Sequence, residues 1–186
     1  MTYTYKGVAG RSSVDEQAAR PITLHTWILR GVRPSRREGW KLDRWVTEKT
    51  GPGDNGEAGS WQECELEDDE QGYLLVDEDV DVYVGRDDED FASPMPGESW
   101  TTSTYFIPLV LVPGDTFRCR HKGIVVDWWD FGTMADHVDT VVKLPSFKAA
   151  RVIEPADNGD RPKLVVPGAK EVTFTYTGAG KGVEGK

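Results

Sequence analysis

The stretch 74–90, LLVDEDVDVYVGRDDED, puts eight carboxylates into seventeen positions, a density that raises cation binding first. Asp77, Asp79 and Asp81 occupy positions 1, 3 and 5 of an EF-hand loop, where carboxylate oxygens would ligate calcium. Val82 then stands where that loop needs glycine, and Asp88 where it needs a bidentate glutamate, so the pattern fails as a cation site. A half-buried strand fits better. Leu74, Val76, Val80, Val82 and Val84 share one parity, and Asp77, Asp79 and Asp81 share the other. Carboxylates on one strand face repel unless basic groups offset them, which leaves an acidic strip for a basic partner as the functional reading.

The other reactive residues form no motif. His137-Val138-Asp139 copies the HxD half of the facial triad of non-haem iron oxygenases, but that triad needs a later histidine and none follows His137. His25 and His121 fall in predicted strands, where structural roles are expected. Asp127 and Asp130 have the residue types of a glycosidase pair, a signal diluted by 32 acidic residues. No GxSxG, P-loop, HExxH or dinucleotide glycine pattern occurs, so no catalytic residue, cofactor or metal ligand is assigned and the chain reads as a non-enzyme. Cys64 and Cys119 match no zinc spacing and read as small buried hydrophobes, with one disulfide between them left open.

Charge is distributed unevenly. Residues 63–90 hold fourteen acids and one base, Arg86, whereas residues 30–44 hold six bases against Glu38 and Asp43, within a total of −10. An acidic chain is a poor sequence-independent ligand for nucleic acid, which requires a positive track along the phosphates. Two oppositely charged patches suit a contact between molecules, with Arg33, Arg36 and Arg37 meeting Asp87, Asp88 and Asp90. Seven tryptophans are many for 186 residues. The adjacent pair Trp128 and Trp129 must face opposite sides of a strand, which makes it a candidate interface anchor.

The elements that would position these residues are strands. Predicted strands cover 22–30, 61–67, 73–84, 100–112, 116–121, 124–130, 140–153 in two pieces, 163–166 and 171–177, with 39–49 leaning towards strand. Lys122-Gly123 is read as a hairpin turn, and the Pro-Gly pairs at 113–114 and 167–168 as corners between strands. The segment STYFIPLVLV is apolar on both faces, which requires cover on both sides. Ser13 and Glu16 make a capping box for one short helix ahead of Pro21. The stretches 49–60, 86–99 and 154–162 are too polar and too rich in glycine and proline to pack as core. The expectation is an all-β fold, an antiparallel β-sandwich or β-barrel: a single domain over 1–186 with an N-terminal arm over 1–21 and a flexible tail over 178–186. The opening MTYTYKGVAG lacks an apolar run behind basic residues, and no stretch reaches the roughly 18 apolar residues of a membrane span, so a soluble chain made in a cytoplasm is expected.

A helix-poor chain with Pro-Gly corners, bipolar charge, long loops and the glycine-rich tail TGAGKGVEGK resembles the small structural proteins of tailed-bacteriophage virions: head-decoration, head–tail connector and tail-tube subunits. The resemblance implies a β-sandwich or β-barrel core, and symmetric association with copies of itself or with capsid or tail proteins, in a virion assembled in a host cell. Two other classes remain open. One is a carbohydrate-binding or hydrolytic β-sandwich with Trp100, Trp128 and Trp129 as a stacking platform. The other is an acidic inhibitor that mimics DNA through 63–90.

Overall fold

The computed structural model describes residues 1–7, 20–30, 39–47, 59–66, 78–87, 89–103, 106, 108–145 and 151–178. The predicted helix after Ser13 lies outside them, as does the tail beyond Gly178. The chain is all-β, with several antiparallel sheets and little helix. Among the described residues no helix is long and apolar enough to cross a membrane. The chain divides into two compact units, one formed by 1–32, 70–104 and 124–166, the other by 33–69, 105–123 and 167–186.

The first unit is built around a three-stranded sheet in which β2 (Ile22–His25) lies between β6 (Phe91–Ala92) and β9 (Trp129–Phe131). All four residues of β2 are buried, because both faces of the sheet are covered. Ile22, Leu24 and Trp129 belong to one apolar cluster with Leu29, Ile124 and Val126. Phe91 and Trp128 belong to another with Val82, Val84, Val142, Leu144 and Val152. The tryptophan pair therefore does face opposite sides, and each ring enters its own core.

The second of these cores is closed by a ribbon of β5 (Val80–Tyr83) and β10 (Val141–Leu144). Val82 opposes Val142 and Val80 opposes Leu144 on the inner face, whereas Asp81 opposes Lys143 on the outer one. Period-two alternation thus sorts the acidic strand as the sequence indicates, and Lys143 puts a base on its outer face, paired at 3.3 Å with Glu154. The first core is flanked by β1 (Thr2–Thr4) and β7 (Ser99–Thr101), whose Tyr3 and Trp100 stack at 5.6 Å.

Several local expectations change. The strand predicted over 22–30 stops at His25: the Thr26 N–H still bonds the Asp90 carbonyl opposite it at 2.7 Å, but the Thr26 carbonyl accepts from the Leu29 N–H at 2.9 Å, and a single helical turn, α1 (Trp27–Arg30), follows. Residues 86–99 do contribute to the core, through Phe91. The hairpin at Lys122-Gly123 does not form: β8 runs unbroken over Thr116–Val125. Lys122 donates its N–H to the Gly39 carbonyl at 2.6 Å, and Gly123, at φ 92°, bends the strand without reversing it. Likewise Pro167-Gly168 lies inside β11 (Val165–Thr175) and makes no corner. A Cβ on Gly168 would sit 2.9 Å from the His121 carbonyl, so glycine serves a close backbone approach there. The corner at Pro113-Gly114 does form, with Asp115 N–H donating to the Val112 carbonyl at 3.0 Å and Gly114 at φ 99°.

Val82→Asp should abolish folding, since an unpaired carboxylate in this core costs several kcal/mol. Asp81→Asn, on the exposed face, should shift stability by about 0.5 kcal/mol or less. Circular dichroism with urea titration reads both, and the reverse pattern would refute the assignment of strand faces.

Candidate association surface

The second unit is organised by a sheet in the order β11, β8, β3 (Trp40–Thr47), β4 (Gly59–Glu63). β3 pairs antiparallel with β8, setting Leu42 against Cys119 and Asp43 against Arg118, and antiparallel with β4, setting Trp45 against Trp61. Alternation gives the sheet two chemically different faces.

One face is held by charge. Asp43 is buried, and its carboxylate accepts from Arg118 at 3.2 Å and Arg120 at 2.6 Å. Arg118 also lies over the Trp61 ring at 4.5 Å and 3.8 Å from Glu171, while Lys41 pairs with Glu63. Trp45 and Trp61 meet edge to face at 5.2 Å, with Trp45 left 39 % exposed. A buried carboxylate requires these partners, because an unpaired one is among the costliest groups to desolvate.

The opposite face carries Trp40, Leu42, Phe117 and His121. Trp40 packs on His121 at 4.8 Å, and Phe117, fully buried, stacks on Phe174 at 5.6 Å. Burial holds the His121 imidazole below its ordinary value, against the opposing effect of the Pro167 backbone. Towards the other end of β3 lies an open groove of about 210 Å³ lined by Arg44, Val46, Cys64 and Pro108–Val110. Arg44 pairs at 3.4 Å with Asp115, whose carboxylate also accepts the Val112 N–H and so pins the turn. Cys64 and Cys119 form no disulfide with each other, and burial pushes the Cys64 thiol up.

Two exposed features stand out against this framework. Leu109, Val110, Leu111 and Val112 are 44–58 % exposed, all four in a row. Of the strand predicted over 100–112, Trp100 and Thr101 lie in β7, and among its other described residues Pro108 alone makes a β-bridge, to Leu66. The second feature is β11 itself, at the edge of the sheet: ten of its eleven residues are exposed, among them Val172 and Phe174.

The described residues among those expected from sequence to make an interface are not part of these two features. Arg33, Arg36, Arg37 and Asp88 fall outside the described residues. Asp87 turns inward, its carboxylate accepting the N–H groups of Glu89 and Asp90 at 3.2 and 3.1 Å. Asp90 is buried. Trp128 and Trp129 are core residues, the latter donating its indole N–H to the Pro162 carbonyl at 2.9 Å. They therefore anchor the interior of the first unit and no outer surface, and with two of its three rings buried the stacking platform of Trp100, Trp128 and Trp129 does not form. The histidine and aspartate candidates are likewise engaged: His137 bonds Thr140 and the Phe131 carbonyl, Asp127 bonds His25, and Asp130 bonds Arg161. Comparison with protein-family models, curated proteins and solved structures returns no match.

Sequence reasoning placed a strand over 171–177 but missed its exposure. The signal lay in Pro167, since a proline within an apolar β-branched run points to an edge strand.

Asp43→Ala should lower stability by about 3 kcal/mol, because two arginines lose their shared carboxylate; urea denaturation measures it, and a loss under 1 kcal/mol would show the network to be dispensable. For His121, the folded pKa lies below the ordinary 6.5, so its contribution is complete above that value and is lost as pH falls through it. The urea midpoint should drop on acidification through this range, and drop less in His121→Gln; equal slopes would refute the assignment.

Proposed function

We propose that this chain is a structural subunit that works by associating within a larger assembly, and that the assembly is a tailed-bacteriophage virion, as a head-decoration, head–tail connector or tail-tube component. The observation that carries the associative reading is the exposed apolar surface of the second unit: Leu109–Val112 together with Val172 and Phe174 on β11. Covering a large aliphatic side chain completely contributes about 1.5–3 kcal/mol, so half-exposed Leu109–Val112 alone offer on the order of 4 kcal/mol to a partner. An exposed ion pair offers about 0.2–1 kcal/mol. Affinity is thus assigned to the apolar residues, and encounter and register to the uneven charge. The virion assignment rests on the resemblance in chain organisation.

Light scattering over a concentration series tests the associative reading. The mass should exceed the 20.7 kDa of one chain, and Leu109→Asp with Leu111→Asp should reduce association at least tenfold with the circular dichroism spectrum unchanged. A chain that stays monomeric throughout and binds no component of its particle would refute it.

A further inference from the structure

We propose that the occupant of the β11 edge is a second copy of this chain, its β11 running antiparallel to the first about a twofold axis through Val172. The inference rests on the associative reading above and names its partner. Tyr176, just past the end of β11, donates its N–H to the Asp115 carbonyl at 2.8 Å and accepts from the Gly114 N–H at 2.7 Å, so its backbone groups point into the sheet. By strand alternation, Ala169, Glu171, Thr173 and Thr175 direct theirs outward. Exposure at ten of eleven positions shows that no described element takes up that outer row.

The candidates for it can be compared by length. The other edge of the sheet, β4, has five residues, and just beyond it Glu65 and Leu66 already pair with Leu109 and Pro108. Head-to-tail addition of β11 to β4 would leave over half of its eleven residues unpaired. Two copies of β11 match in length and close as a dimer with no β11 edge left over.

Charge then selects the register. A twofold normal to the sheet keeps each face with itself. Centred on Lys170 or Glu171, it would set like charges directly opposite, which is destabilising. Centred on Val172, it sets Val172 against its copy, Glu171 against Thr173, and Ala169 against Thr175. It also places Lys170 against Phe174, a cation over an aromatic face. Pro167, without an N–H, falls beyond this ladder. Centring further along, on Thr173, shortens the ladder, so Val172 gives the longest register free of opposed like charges.

Val172 is then a non-hydrogen-bonded pair whose Cα atoms approach to about 4.5 Å, within reach of a disulfide. Mild oxidation of Val172→Cys should yield a covalent dimer, with peptide mapping locating the bond between the two substituted positions. Glu171→Cys, opposite Thr173 and not its own copy, should yield little. Val172 is exposed, so Val172→Lys should fold normally and weaken dimerisation at least tenfold in light scattering. Cross-linking at Val172 together with that loss supports the proposal. Association that survives Val172→Lys with no bond at 172 overturns it and leaves the associative reading standing. A wild-type chain monomeric at every concentration overturns this proposal, and it overturns the associative reading as well when the chain also binds no component of its particle.

Discussion

Asp127 is almost wholly buried, and its two oxygens accept from the His25 imidazole at 3.0 Å, the Trp128 N–H at 3.0 Å and the Val152 N–H at 2.8 Å. A carboxylate in that position costs several kcal/mol to desolvate, and only a full set of donors offsets it. The set is drawn from three parts of the first unit: β2, the entry to β9, and the segment carrying Val152. The His25 N–H closes the arrangement by donating to the Trp128 carbonyl at 3.0 Å. With the backbone fixed at 127–128, Trp128 and Trp129 have no choice of side, and two apolar clusters form on opposite faces of one sheet. A two-sided sheet explains why β2 is buried along its whole length and why Thr23, within it, bonds the Gly132 carbonyl at 2.8 Å.

The sequence displayed those features that depend on local periodicity. Val80 and Val82 alternate with the exposed Asp79 and Asp81, and they pack inward because period two is a property of the strand alone. The corner at Pro113-Gly114 was legible for the same reason, since positive φ at glycine and a fixed φ at proline suffice to make it. Lys122-Gly123 has the same local credentials and does something else, because Gly39 approaches from a distant part of the chain and captures the Lys122 N–H. Pro167-Gly168 differs in the same way, its glycine serving the His121 carbonyl. Where a distant backbone sets the outcome, turn propensity records only that glycine is tolerated. Charge counting is limited for a related reason: composition registers Asp87 and Asp90 as acids without showing that one closes a local turn and the other is buried.

The two faces of the second unit's sheet show how differently its polar and apolar groups are provided for. On one face Asp43 gathers Arg118 and Arg120, and Arg118 reaches Trp61 and Glu171, so that neighbouring side chains meet the demand of the buried charge. Along β11 and at Leu109–Val112 no comparable provision exists among the described residues. Soluble proteins usually blunt an edge strand by keeping it short, by bulging it or by placing charges and prolines along it. β11 has Pro167, Lys170 and Glu171, yet it remains eleven residues long with Val172 and Phe174 in solvent. Pro167 and Lys170 lie no further than the midpoint of the strand, and beyond Glu171 it presents Val172, Phe174 and the outward backbone of Thr173 and Thr175. Such an edge discriminates between registers: a copy centred on Lys170 or Glu171 would set like charges directly opposite, whereas one centred on Val172 would set Lys170 against Phe174 and Glu171 against Thr173 and leave Pro167 beyond the ladder.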